Sequence, residues 1–194
     1  MKELVESFKD NSDGIIGCVN LFYDEQNKIE PSAQVIRKVL GLTIYRNANK
    51  RGEDLKNQPK LRGVNSLSGK GVLIPFAVFK RIGLYNDAML PHYHADTEFT
   101  IRSTTAGFRL FICYSAKVYS HHKETGINAH STQGSIKEFL CGFRTIRSTR
   151  HFITLRNKAM LLHGRKFPLY LSVNLIGITV GFLLRFFKGI FFRQ

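Results

Sequence analysis

Four side chains that can carry charge or exchange a proton lie close together in the sequence: His92, His94, Asp96 and Glu98. A carboxylate flanked by histidines can serve as a general base, because it can accept the proton of a hydroxyl group held against it. The same spacing also fits the start of a helix, where Asp96 or Thr97 would accept hydrogen bonds from backbone N–H groups. The two roles can coexist, and the spacing alone leaves both open.

A glycine-rich turn, Gly69-Lys70-Gly71, precedes these residues along the chain. Glycine lets the backbone approach a ligand closely, and the lysine between the two glycines offers a positive charge. A further candidate is the pair His121-His122, since a neutral imidazole is a competent metal ligand. Short glycine turns and adjacent histidines are also common on solvated surfaces, so each of these signals is weak by itself.

The segments around these candidates alternate between helical and strand-like patterns. Short helices are predicted at residues 2–10, at residues 76–82 ended by Gly83, and at residues 98–106 ended by Gly107. Strands are predicted at residues 15–22, 34–39, 42–45 and 71–76, with two more around Ser115 within residues 108–119. Pro75 limits the strand at residues 71–76, because proline cannot donate to a sheet. The alternation favours an α/β domain, which we place at residues 1–130.

Positive charge dominates the second half of the chain. The formal net charge is +15, and of the 14 acidic residues only Glu124 and Glu138 lie beyond residue 100. Such a surface attracts both nucleic acid and anionic lipid headgroups, and net charge cannot separate the two. The apolar residues that accompany these cations do distinguish the two kinds of partner.

Residues 131–194 combine cations and apolar side chains as membrane-associating tails do. Residues 135–162 are predicted to form one basic amphipathic helix, with Phe139, Leu140, Phe143 and Ile146 on one face and Arg144, Arg147 and Arg150 on another. Residues 167–184 carry no charge, and at ~1.5 Å per residue they extend roughly 27 Å, enough for a bilayer core. We therefore expect an anionic membrane surface as partner and no nucleic acid, with this helix spanning the bilayer or lying in its plane.

The cysteines and the amino-terminal residues indicate the cellular compartment of the chain. Cys18, Cys113 and Cys141 are odd in number and far apart, which argues against a disulfide framework or a zinc site and favours a reducing compartment. Residues 1–14 are charged and lack the apolar stretch of a secretory signal. We expect the chain to begin on the cytosolic side and to lie at the cytoplasmic face of the cell membrane.

A series of short motifs runs along the first part of the chain in a fixed order. They are Gly69-Lys70-Gly71, Leu73-Ile74-Pro75, Phe79, Ile82-Gly83, Leu90-Pro91-His92-Tyr93, Ala95-Asp96, Glu98-Phe99, Arg102, Gly107-Phe108 and Ala116-Lys117-Val118. This order resembles the acceptor-side half of family-2 glycosyltransferases, in particular rhamnosyltransferase-like members. The resemblance covers residues 10–126 and is most specific over residues 68–122.

The resemblance implies a partial GT-A fold and a reaction in which an acceptor hydroxyl displaces a nucleoside diphosphate from the anomeric carbon of a sugar. Asp96 matches the catalytic base of the family and would have that role here. Substrate-binding roles would fall to Gly69, Lys70, Gly71, His94, Glu98 and Arg102. Arg102 would also pair with Glu98 across one helical turn. In the intact family a divalent cation, Mg²⁺ or Mn²⁺, bridges the diphosphate, and His121 and His122 would lie near it.

The sequence departs from the family pattern in two ways. Ala95 stands where many relatives have an acid before the base, and no Asp-x-Asp motif occurs in the chain. The family's donor-binding half should precede residue 1, so we expect this polypeptide alone not to transfer sugar. Its partners would be a nucleotide-sugar donor, a glycan or lipid-linked acceptor and a separately encoded amino-terminal half. The alternatives are a membrane-surface interaction subunit without catalysis and a basic nucleic-acid-binding module.

Overall fold

The computed structural model describes residues 2–23, 28–30, 33–37, 42–45, 55, 60–121 and 135–191. The protein has mixed α and β content, as the sequence predicted, and a long apolar helix at its carboxyl end. It divides into two compact units. The first comprises Met1–Lys38, Thr43–Tyr85 and Asp96–His122, and the second comprises Val39–Leu42, Asn86–Ala95 and Lys123–Gln194. The domain boundary predicted at residue 130 lies outside the described residues.

The strands form two sheets. They are β1 (Gly14–Phe22), β2 (Ile29–Glu30), β3 (Ala33–Arg37), β4 (Leu42–Tyr45), β5 (Leu61–Val64), β6 (Ser66–Leu67), β7 (Val72–Leu73) and β8 (Arg109–Ser120). One sheet has the order β2-β1-β8-β5, with β7 also paired to β1, and the other has the order β4-β3-β6. The first sheet is mixed, because β1 and β8 run parallel whereas β2, β7 and β5 are antiparallel to their neighbours.

The strand β8 is continuous, although two short strands were predicted around Ser115. Its pairing with β1 changes at that place: Cys18 pairs with Cys113, and the next residue of β1, Val19, pairs with Lys117. Extra residues in one strand of a pair bend it and increase its twist. The interruption in the sequence pattern therefore marks an irregularity within one strand rather than the end of a strand.

The helices of the first unit are α1 (Lys2–Lys9), α2 (Phe76–Ile82) and α3 (Ala95–Thr105). The bounds of α2 are those predicted, and α3 begins three residues before the predicted start at Glu98. Gly83 and Gly107 follow these helices with positive φ values of 77° and 96°, which glycine adopts at little cost. The predicted strand at residues 71–76 is shortened to β7, because Pro75 is already the N-cap of α2.

Buried side chains fix α2 and α3 to strands of both sheets. One cluster joins them to β1, β6 and β8: Ile15, Leu67, Val78, Phe99 and Leu110. Val78 of α2 and Phe99 of α3 are fully buried, and burying such side chains contributes ~1.5–3 kcal/mol each. Ile16 belongs to a different cluster, with Leu4 of α1, since successive residues of a strand point to opposite faces. The first turn of α3, which carries Asp96, is thus built on a packed scaffold.

The second unit contains α4 (Ile136–Cys141), α5 (Phe152–His163), a 3-10 turn (Gly164–Lys166) and α6 (Phe167–Phe191). The single basic amphipathic helix predicted over residues 135–162 is therefore wrong, because this segment forms two helices with a loop between them. Ser135 and Glu138 form a capping box at the start of α4. The N–H of Phe152 donates to the carbonyl of Phe143 at 3.0 Å, so the loop folds back on itself before α5 begins.

Local hydrogen bonds explain the break between α4 and α5. The N–H of Arg150 donates to the hydroxyl of Ser148 at 3.1 Å, and the N–H of Arg147 donates to that of Thr145 at 3.4 Å. Such side-chain acceptors give the backbone an alternative to the helical ladder. Gly142, which follows α4, adds a residue of low helix propensity. The sequence pattern did not predict this break, because the apolar positions around these polar residues keep helical spacing.

One face of α6 is an exposed apolar stripe. Its members recur at helical spacing and are 42–68% exposed: Leu169, Ile176, Val180, Leu183, Leu184 and Phe187. Within the described ranges, one helical segment is long and apolar enough to cross a membrane. It is Phe152–Lys188, which comprises α5, the 3-10 turn and most of α6. A contiguous apolar surface of this kind marks an interaction site. Association of this helix with a membrane therefore fits both its length and its exposed side chains.

Candidate functional site

The carboxylate of Asp96 contacts the glycine turn that precedes β7. The backbone N–H of Gly69 donates a hydrogen bond of 2.7 Å to Oδ2 of Asp96. A methyl group on Gly69 would lie 3.4 Å from Cβ of Asp96, so the turn and the first turn of α3 are also in van der Waals contact. Two motifs separated by 27 positions in the sequence thus meet at one carboxylate.

The other oxygen of Asp96 binds the backbone of its own helix. Oδ1 accepts the N–H of Thr97 at 2.7 Å and lies 3.5 Å from the Thr97 hydroxyl. Because α3 begins at Ala95, Asp96 lies inside the first turn, where a negative charge is favoured by the helix dipole. This bond to the adjacent residue differs from the N-cap pattern predicted for Asp96 or Thr97, in which the acceptor bonds two or three residues ahead.

Asn20 of β1 holds the glycine turn from the side of the sheet. Its Nδ2 donates a 2.9 Å hydrogen bond to Oγ of Ser68, the residue before Gly69. Asn20 is only 1% exposed, so its buried amide positions the partly exposed Ser68 from within the sheet. The sequence motif does not include Asn20. The signal that could have identified it is a polar side chain within the apolar strand β1.

Tyr85 is a second residue near Asp96 that the motif does not include. Its ring stacks on Phe99 of α3, with centroids 4.4 Å apart and an interplanar angle of 29°. Burial raises the pKa of Tyr85, and the negative charge of Asp96 raises it further. The phenol is therefore a neutral hydroxyl at physiological pH, able to donate or accept a hydrogen bond.

Lys70 bonds to protein groups, although its side chain is 39% exposed. Its Nζ lies 2.6 Å from Oε1 of Glu30, and it donates a longer bond of 3.4 Å to Oγ of Ser120. The Ser120 hydroxyl in turn donates to Oε2 of Glu30 at 2.6 Å. This three-residue network ties the glycine turn to β2 and β8. The substrate-binding role predicted for Lys70 stays a prediction.

Gly71 is required by the backbone of the turn. Its φ is 66°, and a methyl group there would lie 3.1 Å from Sγ of Cys18. A side chain at this position would combine left-handed backbone strain with a close contact. Its carbonyl also accepts the N–H of Cys18 at 2.9 Å. Gly71 thus shapes the turn that presents Gly69 to Asp96, and contact with a substrate remains a prediction.

Arg102 and Glu98 form the ion pair that the sequence predicted. Nε of Arg102 lies 2.7 Å from Oε1 of Glu98, which is 3% exposed. The guanidinium also donates to the carbonyl of Ile82, the last residue of α2, and to that of Leu84 at 2.9 Å. Arg102 therefore satisfies carbonyl groups at the carboxyl end of α2 that would otherwise lack a donor. Its contacts are those of a structural residue joining α2 to α3.

His94 belongs to the second unit and bonds within it. Its Nε2 donates to the carbonyl of Thr149 at 3.0 Å. Burial lowers the pKa of His94 to about 3, with a further decrease from the charge of Lys158, whereas the bond to Thr149 opposes this shift. Its φ of 71° is the one positive value at a non-glycine residue in the part of the chain that the structure describes. His94 is thus a neutral imidazole with a structural partner.

The predicted metal ligands are His121 and His122, of which His122 lies outside the described residues. The ring of His121 lies against Tyr23, with centroids 4.1 Å apart. No group of three or more His, Cys, Asp or Glu side chains suited to a metal ion occurs among the residues that the structure describes. A divalent cation prefers several oxygen ligands together, so the described side chains do not fit Mg²⁺ or Mn²⁺.

Comparison with protein-family models and with curated proteins finds no match to this chain. The resemblance to family-2 glycosyltransferases therefore stays a prediction that rests on the motif residues. The described contacts define one partly exposed carboxylate, held by two backbone N–H groups and accompanied by a neutral phenol. Each carboxylate oxygen has two lone pairs, so Asp96 can still accept a hydrogen bond, and a proton, from a bound hydroxyl group.

Proposed function

We propose that this chain provides the acceptor-binding part of a GT-A-type family-2 glycosyltransferase. The reaction is transfer of a sugar from a nucleotide-sugar donor to a hydroxyl group of a glycan or lipid-linked acceptor, in cell-surface glycan synthesis. The observation that most supports the proposal is the 2.7 Å hydrogen bond between the Gly69 N–H and Oδ2 of Asp96. It joins the two most specific blocks of the resemblance at a carboxylate suited to general-base catalysis.

In the proposed reaction, Asp96 accepts the proton of the acceptor hydroxyl while the hydroxyl oxygen forms a bond to the anomeric carbon of the donor sugar. The bond between that carbon and the diphosphate oxygen breaks, and the nucleoside diphosphate leaves with the electron pair. Gly69 and Thr97 hold the carboxylate in one orientation, so little reorganisation is needed during proton transfer. The neutral hydroxyl of Tyr85 is suited to orient the acceptor by hydrogen bonding.

The contacts of the first unit narrow the set of acceptor-binding residues. Lys70 and Arg102 already bond to carboxylates of the protein, and recruiting either for a substrate would break those ion pairs. The side chain of Asp96 and the phenol of Tyr85 do not carry this cost, and the backbone N–H of Gly69 is already bonded to Asp96. We therefore assign acceptor recognition to Asp96 and Tyr85, with Gly69 positioning the carboxylate.

The membrane-associating helix α6 supports a lipid-linked or membrane-bound acceptor. Its exposed stripe and its length suit contact with a bilayer. Cys18, Cys113 and Cys141 are free thiols, which fits a reducing compartment. The proposed location is accordingly the cytoplasmic face of the cell membrane, where nucleotide sugars and free thiols occur together.

Native membranes provide the test, because they contain any separately encoded donor-binding half. Membranes from cells with the chain and from cells that lack its gene are incubated with a panel of radiolabelled nucleotide sugars, Mg²⁺ and Mn²⁺. We expect incorporation of one sugar into lipid or glycan to require the chain and to return when the full chain is supplied again. Equal incorporation of every donor by the two membranes would contradict the proposal.

A second candidate function is a membrane-surface interaction subunit without catalysis. The exposed stripe of α6 favours it, since this feature needs no chemistry to be useful. The two candidate functions differ in whether sugar incorporation requires the carboxylate of Asp96. A non-catalytic subunit would restore incorporation equally well with or without this carboxylate, whereas a transferase would restore it only with the carboxylate present.

A further inference from the structure

Two arginines of the second unit, Arg150 and Arg185, belong to segments that a small aromatic stack joins. The guanidinium of Arg150 lies over the ring of Phe139, 5.2 Å from its centroid. Phe139 stacks on Phe182 of α6, with centroids 4.1 Å apart and an angle of 17°. Arg185 follows Phe182 by about one helical turn and so lies on the same side of α6. The loop before α5 and the end of α6 thus bring two cations together.

The position of Arg150 is fixed by packing. A methyl group on Gly142 would lie 2.8 Å from Nη2 and 2.9 Å from Nε of Arg150, so the guanidinium rests directly on the backbone there. Nε is buried and has no hydrogen-bond partner among the described residues. Burial lowers the pKa of Arg150, and the charge of Arg185 lowers it further, which places the two guanidinium groups within electrostatic reach of each other.

Neither arginine forms a salt bridge with a residue that the structure describes. The carboxylate of Glu138, the acid nearest to them along the described chain, accepts the N–H of Ser135 in the capping box of α4. Two like charges held close together in partly buried surroundings repel each other. An anion bound by both would remove this repulsion and supply acceptors for the guanidinium groups.

A phosphate group fits this pair better than a simple anion. Guanidinium groups bind phosphate oxygens through paired, parallel hydrogen bonds, and two of them can share one phosphate. The position along the chain indicates where the phosphate comes from. Arg185 follows directly after the uncharged residues 167–184, at the point where an apolar helix leaves the hydrocarbon and enters the headgroup region.

We propose that Arg150 and Arg185 form a binding site for the phosphate of an anionic lipid headgroup. The aromatic stack of Phe139 and Phe182 gives the site a rigid floor and holds Arg150 in place. The proposal goes beyond sugar transfer and does not depend on it. It assigns a defined lipid site to a segment whose exposed cations would otherwise give only a diffuse attraction to membranes.

Native mass spectrometry of the full chain in neutral detergent tests the site, with phosphatidylglycerol titrated into the micelles and phosphatidylcholine as the zwitterionic comparison. We expect one phosphatidylglycerol to be retained, with its affinity about tenfold lower in Arg150→Gln and in Arg185→Gln. Arg150→Lys keeps the charge without the paired hydrogen bonds and should lose about fivefold. The matched control is Arg147→Gln, an exposed arginine of the same loop, which should lose about twofold or less.

Three results would overturn the proposal. Equal loss in all the glutamine variants would indicate general surface charge, and unchanged retention in Arg150→Gln and Arg185→Gln would exclude the site. Inorganic phosphate that binds to the lipid-free protein and displaces phosphatidylglycerol at millimolar concentration would show that the phosphate comes from solution. Thermal unfolding of each variant in the same detergent establishes folding, and Arg150→Lys keeps the test decisive if Arg150→Gln does not fold.

Discussion

The backbone N–H of Gly69 lies 2.7 Å from Oδ2 of Asp96, so a main-chain group fixes this carboxylate. An alanine at position 69 would keep that donor. The other glycine of the turn has a different role, since Gly71 has a φ of 66° and faces Cys18. The structure thereby separates two glycines that the sequence motif makes equivalent.

We expect Gly69→Ala to keep the free energy of unfolding within ~0.5 kcal/mol of the wild type, because its Cβ would meet Asp96 at an ordinary 3.4 Å. Gly71→Ala should lower the free energy of unfolding by ~1–3 kcal/mol, because it adds left-handed strain and a close contact with Cys18. Urea unfolding in neutral detergent, followed by circular dichroism, measures both. Equal destabilisation at the two positions would be inconsistent with this geometry of the turn.

Arg102 should matter for stability. Arg102→Met leaves the buried carboxylate of Glu98 without its partner and removes the donor to the carbonyls of Ile82 and Leu84. We expect the free energy of unfolding to fall by ~2–4 kcal/mol, somewhat less than for a fully buried pair because Arg102 is partly exposed. The same urea unfolding experiment measures the loss.

Two controls make the Arg102 result specific. Arg109→Met breaks the exposed ion pair with Asp13 and should leave the free energy of unfolding almost unchanged, because solvent screens exposed pairs. Adding Glu98→Gln to Arg102→Met should recover part of the stability, since it removes the buried charge. An Arg102→Met protein as stable as the wild type would argue instead for a residue kept only to bind substrate.

Protonation of His94 should destabilise the protein as the pH falls. Its pKa in the folded protein is about 3, below the ordinary value of 6.5, so the unfolded chain binds a proton that the folded chain excludes. The stability from neutral His94 is fully present above pH 6.5 and is lost progressively as the pH drops toward 3. The slope from this residue is at most ~1.4 kcal/mol per pH unit.

The comparison for His94 is His94→Gln, whose amide can still donate to the carbonyl of Thr149. The free energy of unfolding of both proteins is measured between pH 7.5 and about 4.5. The difference between the two pH profiles isolates the effect of the His94 imidazole. We expect the wild type to lose more stability than the variant over that range. Parallel pH profiles would mean that His94 titrates normally and is not enclosed by the second unit.

Much of the first unit could be predicted from local sequence. Gly83 and Gly107 end helices as expected, because a positive φ after a helix strongly favours glycine. The apolar run of β1 is a buried strand as predicted. The basic helix over residues 135–162 was wrong, because the hydroxyl groups of Thr145 and Ser148 form local hydrogen bonds that compete with helix formation.

The candidate site was less predictable, because its contacts join distant parts of the chain. Nothing local indicates that Lys70 pairs with Glu30, 40 positions away, since this depends on how β2 and β8 are arranged. Tyr85 and Asn20 were missed for the same reason. Arg102 was different: its pairing with Glu98 follows from helical spacing alone.

The central claim, that Asp96 is the base of a sugar transfer, is tested most directly in native membranes that lack the gene and are supplied with variants of the full chain. The matched control for Asp96→Asn is Asp13→Asn, a carboxylate of the same unit in an exposed ion pair with Arg109. We expect Asp96→Asn to lower chain-dependent sugar incorporation by ~10²–10⁴-fold and Asp13→Asn to leave it unchanged, with both proteins folded by circular dichroism. Incorporation at the wild-type rate by folded Asp96→Asn protein would contradict the claim.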